Sequence, residues 1–147
     1  MSFALDIGNF AKKCGAASDQ VVRKTILDIG KRVVERTPVG DPEYWAHPAP
    51  PGYVGGMARG SWSHSIGTLD AKVIETIDAT GGASNDRISA SVPQKAAGLV
   101  HFIQNSLPYI QRLEDGRHSR QCPPGGMVAV TVTEFQDMIT KAVGELK

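Results

Sequence analysis

The sequence predicts an α+β fold: a long N-terminal helix and a C-terminal helix packed on a small, mainly antiparallel β-sheet, with a long loop rich in proline, glycine and aromatic residues. Three observations predict it. Apolar residues recur at spacings of three and four near both ends, and apolar alternation at period two occupies the middle. Between them, residues 38–60 hold five prolines and five glycines, which interrupt regular structure. The 147 residues are the size of one domain, 1–147, able to bury about two thirds of the surface of the unfolded chain.

From Phe3 to Arg36 the pattern is helical. Phe3, Ile7, Phe10, Cys14, Ala17 and Val21 form one stripe; Val22, Ile26, Ile29 and Val33 form a second, rotated by roughly 100° on an ideal helix. Something therefore changes between Gly15 and Asp19. Either the helix bends or turns its halves toward different partners, or it breaks and Ser18 or Asp19 caps a second helix. Thr37-Pro38 ends it, because proline disfavours helical geometry in the residue before it. In the loop 38–60 the aromatics Tyr44, Trp45 and Tyr53, with Met57, either fold back on their own core or become ordered on a partner.

Lys72–Ala79 and Arg87–Val92 alternate as two strands of a hairpin across the turn-rich 80–86. Leu99–Asn105 and Ser61–Ile66 are further strand candidates. Pro108–Glu114 fits a short helix stopped by Asp115-Gly116, with a positive φ expected at Gly116. Over 127–146, Val128, Val132, Phe135, Ile139, Ala142, Val143 and Leu146 share an arc of roughly 100° and predict a helix packed through that face. Thr133 and Gln136 could instead cap a helix that starts later.

Net charge is +1. Seven basic and four acidic residues give +3 over residues 1–40, four and six give −2 over 41–100, and the remainder balances. That excess is too small for a duplex-binding surface, which shows a dense basic stripe. No apolar run approaches the roughly 18 residues of a membrane span, and the opening Met1 to Asp6 has neither basic leader nor apolar core, so synthesis and retention inside a cell are expected. Cys14 and Cys122 lie far apart, neither in a paired-cysteine motif, so a disulfide is not expected in a reducing compartment.

Chemistry at interpretable spacing is scarce. His47, His64, His101 and His118 offer no pair four residues apart on a helix; His64 and His101 could face each other across a sheet, a coincidental pair being the simpler reading. Cys122, with His118 or His101, is the one candidate nucleophile, and it lacks a Cys-His signature. The stretch Gly52–Gly60 lacks the Lys-Ser/Thr ending of a phosphate loop. Arg117, His118 and Arg120 read as a solvated cluster before a DNA contact. No catalytic residue, cofactor or metal is expected.

Several stretches in order resemble one family. They are Val33-Val34-Glu35-Arg36-Thr37-Pro38-Val39-Gly40-Asp41, then Pro51-Gly52-Tyr53-Val54-Gly55-Gly56-Met57-Ala58-Arg59-Gly60-Ser61-Trp62, then Ile103 to Gly116, then Gln121 to Val128 followed by Phe135. Together they resemble the neck or tail-completion proteins that join head to tail in long-tailed bacteriophages. This chain departs from the family's pattern in an additional residue within Pro123-Pro124-Gly125-Gly126-Met127 and in Ile110, where a small alanine is common.

The resemblance implies a non-enzymatic virion protein at the head-tail junction, made in the host bacterial cytoplasm. Copies would form a ring, six being the expected number, between head-closure or adaptor proteins and the tail terminator, with DNA passing through without sequence-specific binding and with no membrane contact. A ring needs two complementary surfaces per subunit. The rotated stripe of the first helix and the aromatic loop are the candidates, with Tyr44, Trp45, Tyr53, Arg59 and Trp62 as anchors. Trp62 and Tyr109 suit a core position better than a contact. Arg59 and Glu114 could pair to tie the loop down, and Pro108, Tyr109, Glu114, Gly116 and Met127 complete the structural motif. A tail terminator or head-closure protein is the alternative within this class. A small Cys-dependent hydrolase and a DNA-binding regulator are the alternatives outside it.

Overall fold

The computed structural model describes residues 3–116 and 120–146, with side chains from Cys14 onward. The order of elements is α1 (Phe3–Arg36), α2 (Met57–Gly60), β1 (Ser63–Ile66), α3 (Gly82–Ser91), β2 (His101–Gln104), α4 (Ile110–Glu114), α5 (Val128–Thr133) and α6 (Phe135–Gly144). It is a small α+β fold, as expected. The 34 residues of α1 span about 51 Å at 1.5 Å per residue, and α2, α3, α5 and α6 all pack on this one rod.

The helix is continuous through Gly15–Asp19, so neither Ser18 nor Asp19 caps a second helix. Asp19 instead accepts the Ala97 N–H at 2.9 Å. The second stripe faces the core: Ile26 and Val33 are buried, and Val22 and Ile29 pack against the same cluster. Of the first stripe, the side chains of Phe3, Ile7 and Phe10 lie outside the described residues, while Cys14 is exposed and Ala17 and Val21 are half-buried. Gly30, unusual inside a helix, marks the closest crossing: a Cβ there would meet the Ile88 side chain at 3.2 Å. Its absence lets α3 approach α1.

Around that crossing lies the core of Ile26, Val33, Val34, Trp62, Ile88, Val92, Ala96 and Met127. Among the described residues the sheet has two strands, β1 and β2, antiparallel with Ser63 opposite Gln104 and Ile66 opposite His101. Both weaker strand expectations, 61–66 and 99–105, thus pair with each other. The expected hairpin does not form. Residues 72–79 run extended without a ladder, pinned by Thr76 N–H to Ser61 Oγ at 3.2 Å and Asp78 N–H to the Gly56 carbonyl at 3.2 Å.

The second expected strand is helix α3. Asp78 starts it, accepting the Ala83 N–H at 2.8 Å, and Pro93 ends it. Its inward face is largely polar, with Ser84 bonded to the Arg59 carbonyl and Arg87 to the Gly60 and Trp62 carbonyls. An apolar period of 3.6 is therefore missing from the sequence.

α4 forms where expected, and Gly116 at φ +68° ends it. The C-terminal helix is two helices meeting at Glu134, and the face it packs corrects the expectation. Of the expected arc Ala142 is buried and Ile139 and Leu146 are half-buried, but Val128, Val132, Phe135 and Val143 are 41%, 63%, 45% and 51% exposed, and Thr131 and Met138, outside the arc, are buried instead. The cause is polar. Arg36 donates to Thr131 Oγ1 at 2.8 Å and to Glu134, which Arg32 also meets at 3.2 Å, so the ion pairs at the end of α1 turn this side of α5–α6 inward.

Candidate functional site

The loop 38–60 folds back at both ends. Gln121 clamps its start, donating to the Val39 carbonyl at 2.8 Å and accepting the Asp41 N–H at 3.0 Å. Asp41 caps the single turn that follows, accepting the Glu43 N–H at 3.0 Å. Trp45 then meets Tyr53 edge to face, ring centroids 4.7 Å apart at 62°, a favoured arrangement for aromatic pairs. Between this pair, Tyr44, Val54, Met57, Ile77, Tyr109 and Leu113 lies a cleft of about 740 Å³.

Burial raises the Tyr53 phenol above its ordinary value, and burial first, then Tyr53 and Glu75, raises that of Tyr109. Both hydroxyls are therefore neutral donors at physiological pH. Clefts of this size lined by aromatic and aliphatic side chains, with a few polar tips, suit an apolar segment of a ligand or partner.

The structure separates the anchors predicted for a partner. Tyr44, Trp45 and Tyr53 line the cleft, and Tyr109, expected in the core, joins them at 37% exposure. Trp62 is inside the core at 3% exposure, its indole N–H donating to Thr37 Oγ1 at 2.8 Å. Arg59 turns away, donating to the carbonyls of Thr37 at 2.8 Å, Glu35 at 3.3 Å and Ala79 at 3.0 Å. It caps the C-terminal end of α1, where unpaired carbonyls and the helix dipole favour a cation.

Arg59 does not pair with Glu114. That carboxylate accepts the N–H groups of Met127, Val128 and Ala129 at 2.8, 2.9 and 2.9 Å, at the start of α5, where orphan donors and the dipole favour an anion. Gly126, at φ +92°, makes room, since a Cβ there would lie 2.5 Å from Glu114 Oε1. Met127 is fully buried and Pro108 is exposed beside Tyr109.

A second apolar surface is the exposed stripe of α5–α6, where spacing predicts core because amphipathic spacing alone does not say which side is covered. Ile77, Leu113 and Gln121 fall in stretches the sequence singles out as strand or motif, but nothing there marks them as lining a cleft.

For nucleophilic chemistry the arrangement offers little. Cys122 is 6% exposed, His101 is engaged by His64 and Ala96, and Arg117 and His118 fall outside the described residues. Among the described residues no group of three His, Cys, Asp or Glu side chains is placed to hold a metal ion, and no helix is long and apolar enough to cross a membrane. The fold is a small α+β fold that, among the described residues, leaves apolar side chains uncovered, those of the cleft and of the α5–α6 stripe among them. Comparison with family models, with curated proteins and with solved structures finds no match.

Proposed function

We propose that this chain is a structural subunit of the head-tail junction of a long-tailed bacteriophage, a neck or tail-completion protein whose copies close into a ring. One observation carries the reading: among the described residues the chain leaves open both the aromatic cleft and, on α5–α6, the exposed side chains of Val128, Val132, Phe135 and Val143. Contiguous exposed apolar patches mark interaction sites. Two unlike patches on one subunit are what a heterologous contact requires, and such contacts close into rings when the rotation permits.

The ordered motifs that resemble those of the neck family are what suggests the location and the neighbours. The ring sits between head-closure or adaptor proteins and the tail terminator, DNA threads it without sequence-specific contacts, and the subunit catalyses nothing. Tail terminator and head-closure protein are the neighbouring assignments, separated from this one by position in the particle. Imaging of the head-tail junction at residue resolution, with native mass spectrometry of the purified chain at assembly concentration, tests the proposal. Six copies around a channel are expected. A strictly monomeric protein that is missing from purified particles overturns it.

A further inference from the structure

His64 on β1 and His101 on β2 stand diagonally across the two-stranded ladder, their ring centroids 5.1 Å apart and their planes inclined by 25°. Four contacts run through them in series. The Ile88 carbonyl lies 3.0 Å from Ser91 Oγ, Ser91 Oγ 2.8 Å from His64 Nδ1, His64 Nε2 2.9 Å from His101 Nδ1, and His101 Nε2 2.8 Å from the Ala96 carbonyl. Both ends of the series are carbonyls, which only accept.

Counting hydrogens fixes the states of the chain. Uncharged, the three groups in between carry three hydrogens for four contacts: one hydroxyl and one N–H per ring. The Ala96 carbonyl requires the His101 hydrogen on Nε2, which leaves Nδ1 a lone pair. His64 must then donate from Nε2, so its own Nδ1 is a lone pair and Ser91 donates to it. The unfilled contact is the one to Ile88, whose carbonyl already accepts the Val92 N–H at 3.1 Å.

One added proton, on His64 Nδ1, reverses that end of the series. The ring donates to Ser91 Oγ, the hydroxyl turns to Ile88, and all four contacts are filled without movement of a heavy atom. A second proton has only His101 Nδ1 to occupy. There it would set N–H against N–H at a 2.9 Å contact between two cations, and the contact has to open.

We propose that this pair is a pH switch that takes up one proton with the fold unchanged and, on the second, releases the C-terminal end of α3 and the segment 93–100 from the sheet. The surroundings leave the second charge uncompensated. From α3 comes Arg87, held on the Gly60 and Trp62 carbonyls. From α1 come Arg23, on the Val92 carbonyl, and Asp19, on the Ala97 N–H. Lys95 in the 93–100 segment is exposed, and the neighbouring strand residues Ser65 and Gln104 are uncharged. Among the described residues no carboxylate bonds to either ring.

Burial, and then the neighbouring His101, holds His64 below the ordinary histidine value of 6.5, so His64 is neutral at pH 7. Below 6.5 the unfolded chain binds more protons than the folded one, and stability falls with pH. The two protons come off as steps that belong to the pair.

Long-range proton–nitrogen spectra of the imidazoles from pH 8 to pH 4, with amide exchange at Val92 and Ala97, test this. The expected result is the Nε2–H tautomer at both rings at pH 8, a first step below 6.5 with both amides protected, and a second step at which their exchange accelerates at least tenfold. His101→Gln keeps an acceptor for His64 and a donor for Ala96 but takes no proton; a single titration step and no acid-triggered loss of protection are expected. An Nδ1–H tautomer at either neutral ring, independent single-site curves with protection throughout, or loss in the variant at the parent's pH would overturn the switch. If the variant fails to fold, the parent's tautomers and exchange profile decide alone.

Discussion

The indole N–H of Trp62 donates to the hydroxyl of Thr37 at 2.8 Å, and Thr37 in turn donates to the Val33 carbonyl at 2.8 Å, all of it out of contact with water. The residue that ends α1 thereby fixes the entry to β1. Thr37→Val fills the same volume but leaves the indole hydrogen without a partner, and a buried unsatisfied donor costs about 1–3 kcal/mol. Trp62→Phe removes donor and need together, so its loss reflects packing alone. Urea unfolding with an unchanged m value separates the two. A Thr37→Val protein as stable as the parent would contradict this relationship.

Glu114 answers three backbone donors at the start of α5. Glu114→Ala strands them and is expected to cost about 2 kcal/mol, the upper end for loss of a helix N-terminal acceptor. Glu114→Gln retains a carbonyl oxygen and loses less. Amide exchange at residues 127–129 should accelerate in the same order, alanine before glutamine.

Arg59 reaches three carbonyls with a planar fork. A lysine carries the charge but not the geometry, so Arg59→Lys is expected to recover less than half of the stability that Arg59→Ala loses. Thermal unfolding of the two variants measures the ratio.

Hydrogen bonds from Arg36 and then Arg32 hold the Glu134 carboxyl below its ordinary value of 4.5. A carboxylate held low in the folded state contributes stability that is fully present above that ordinary value and is lost as pH falls through the folded one. Glu134→Gln should therefore flatten the stability profile below pH 4.5 and leave its shape near neutrality unchanged. Because the ion pairs lie at the surface, the difference should also shrink in high salt.

Val132 is 63% exposed on α5. Val132→Asp should leave the melting temperature of the isolated chain nearly unchanged, since exposed substitutions stay within about 0.5 kcal/mol. Loss of higher-order species in native mass spectrometry is expected from the same variant. Retention of those species would remove the α5–α6 stripe from the interface.

The fold was legible wherever burial follows apolar period. The inward stripe of α1, the two strands that pair, and the stop at Gly116 each announce themselves by spacing or by a residue type the backbone requires. α3 was not legible, because polar residues carry much of its packing: Ser84 and Arg87 bond to carbonyls distant in sequence and Ser91 meets the His64 ring. The orientation of α5–α6 was hidden for the opposite reason. Its apolar arc is real, but ion pairs to Arg32 and Arg36 decide which side turns inward, and a pattern on one helix does not report charges on another. The loop aromatics pointed to the cleft, while its far wall, Tyr109 and Leu113, comes from α4 and the residue before it.

The carboxylate on α4 has a genetic corollary. It governs where α5 begins, and hence the direction in which the stripe of Val128, Val132 and Phe135 is presented. If copies assemble as proposed, a lesion at Glu114 should present as a defect of assembly, because it acts through the start of α5. Revertants that restore particles would then map near the first turn of α5 rather than on the contacting copy.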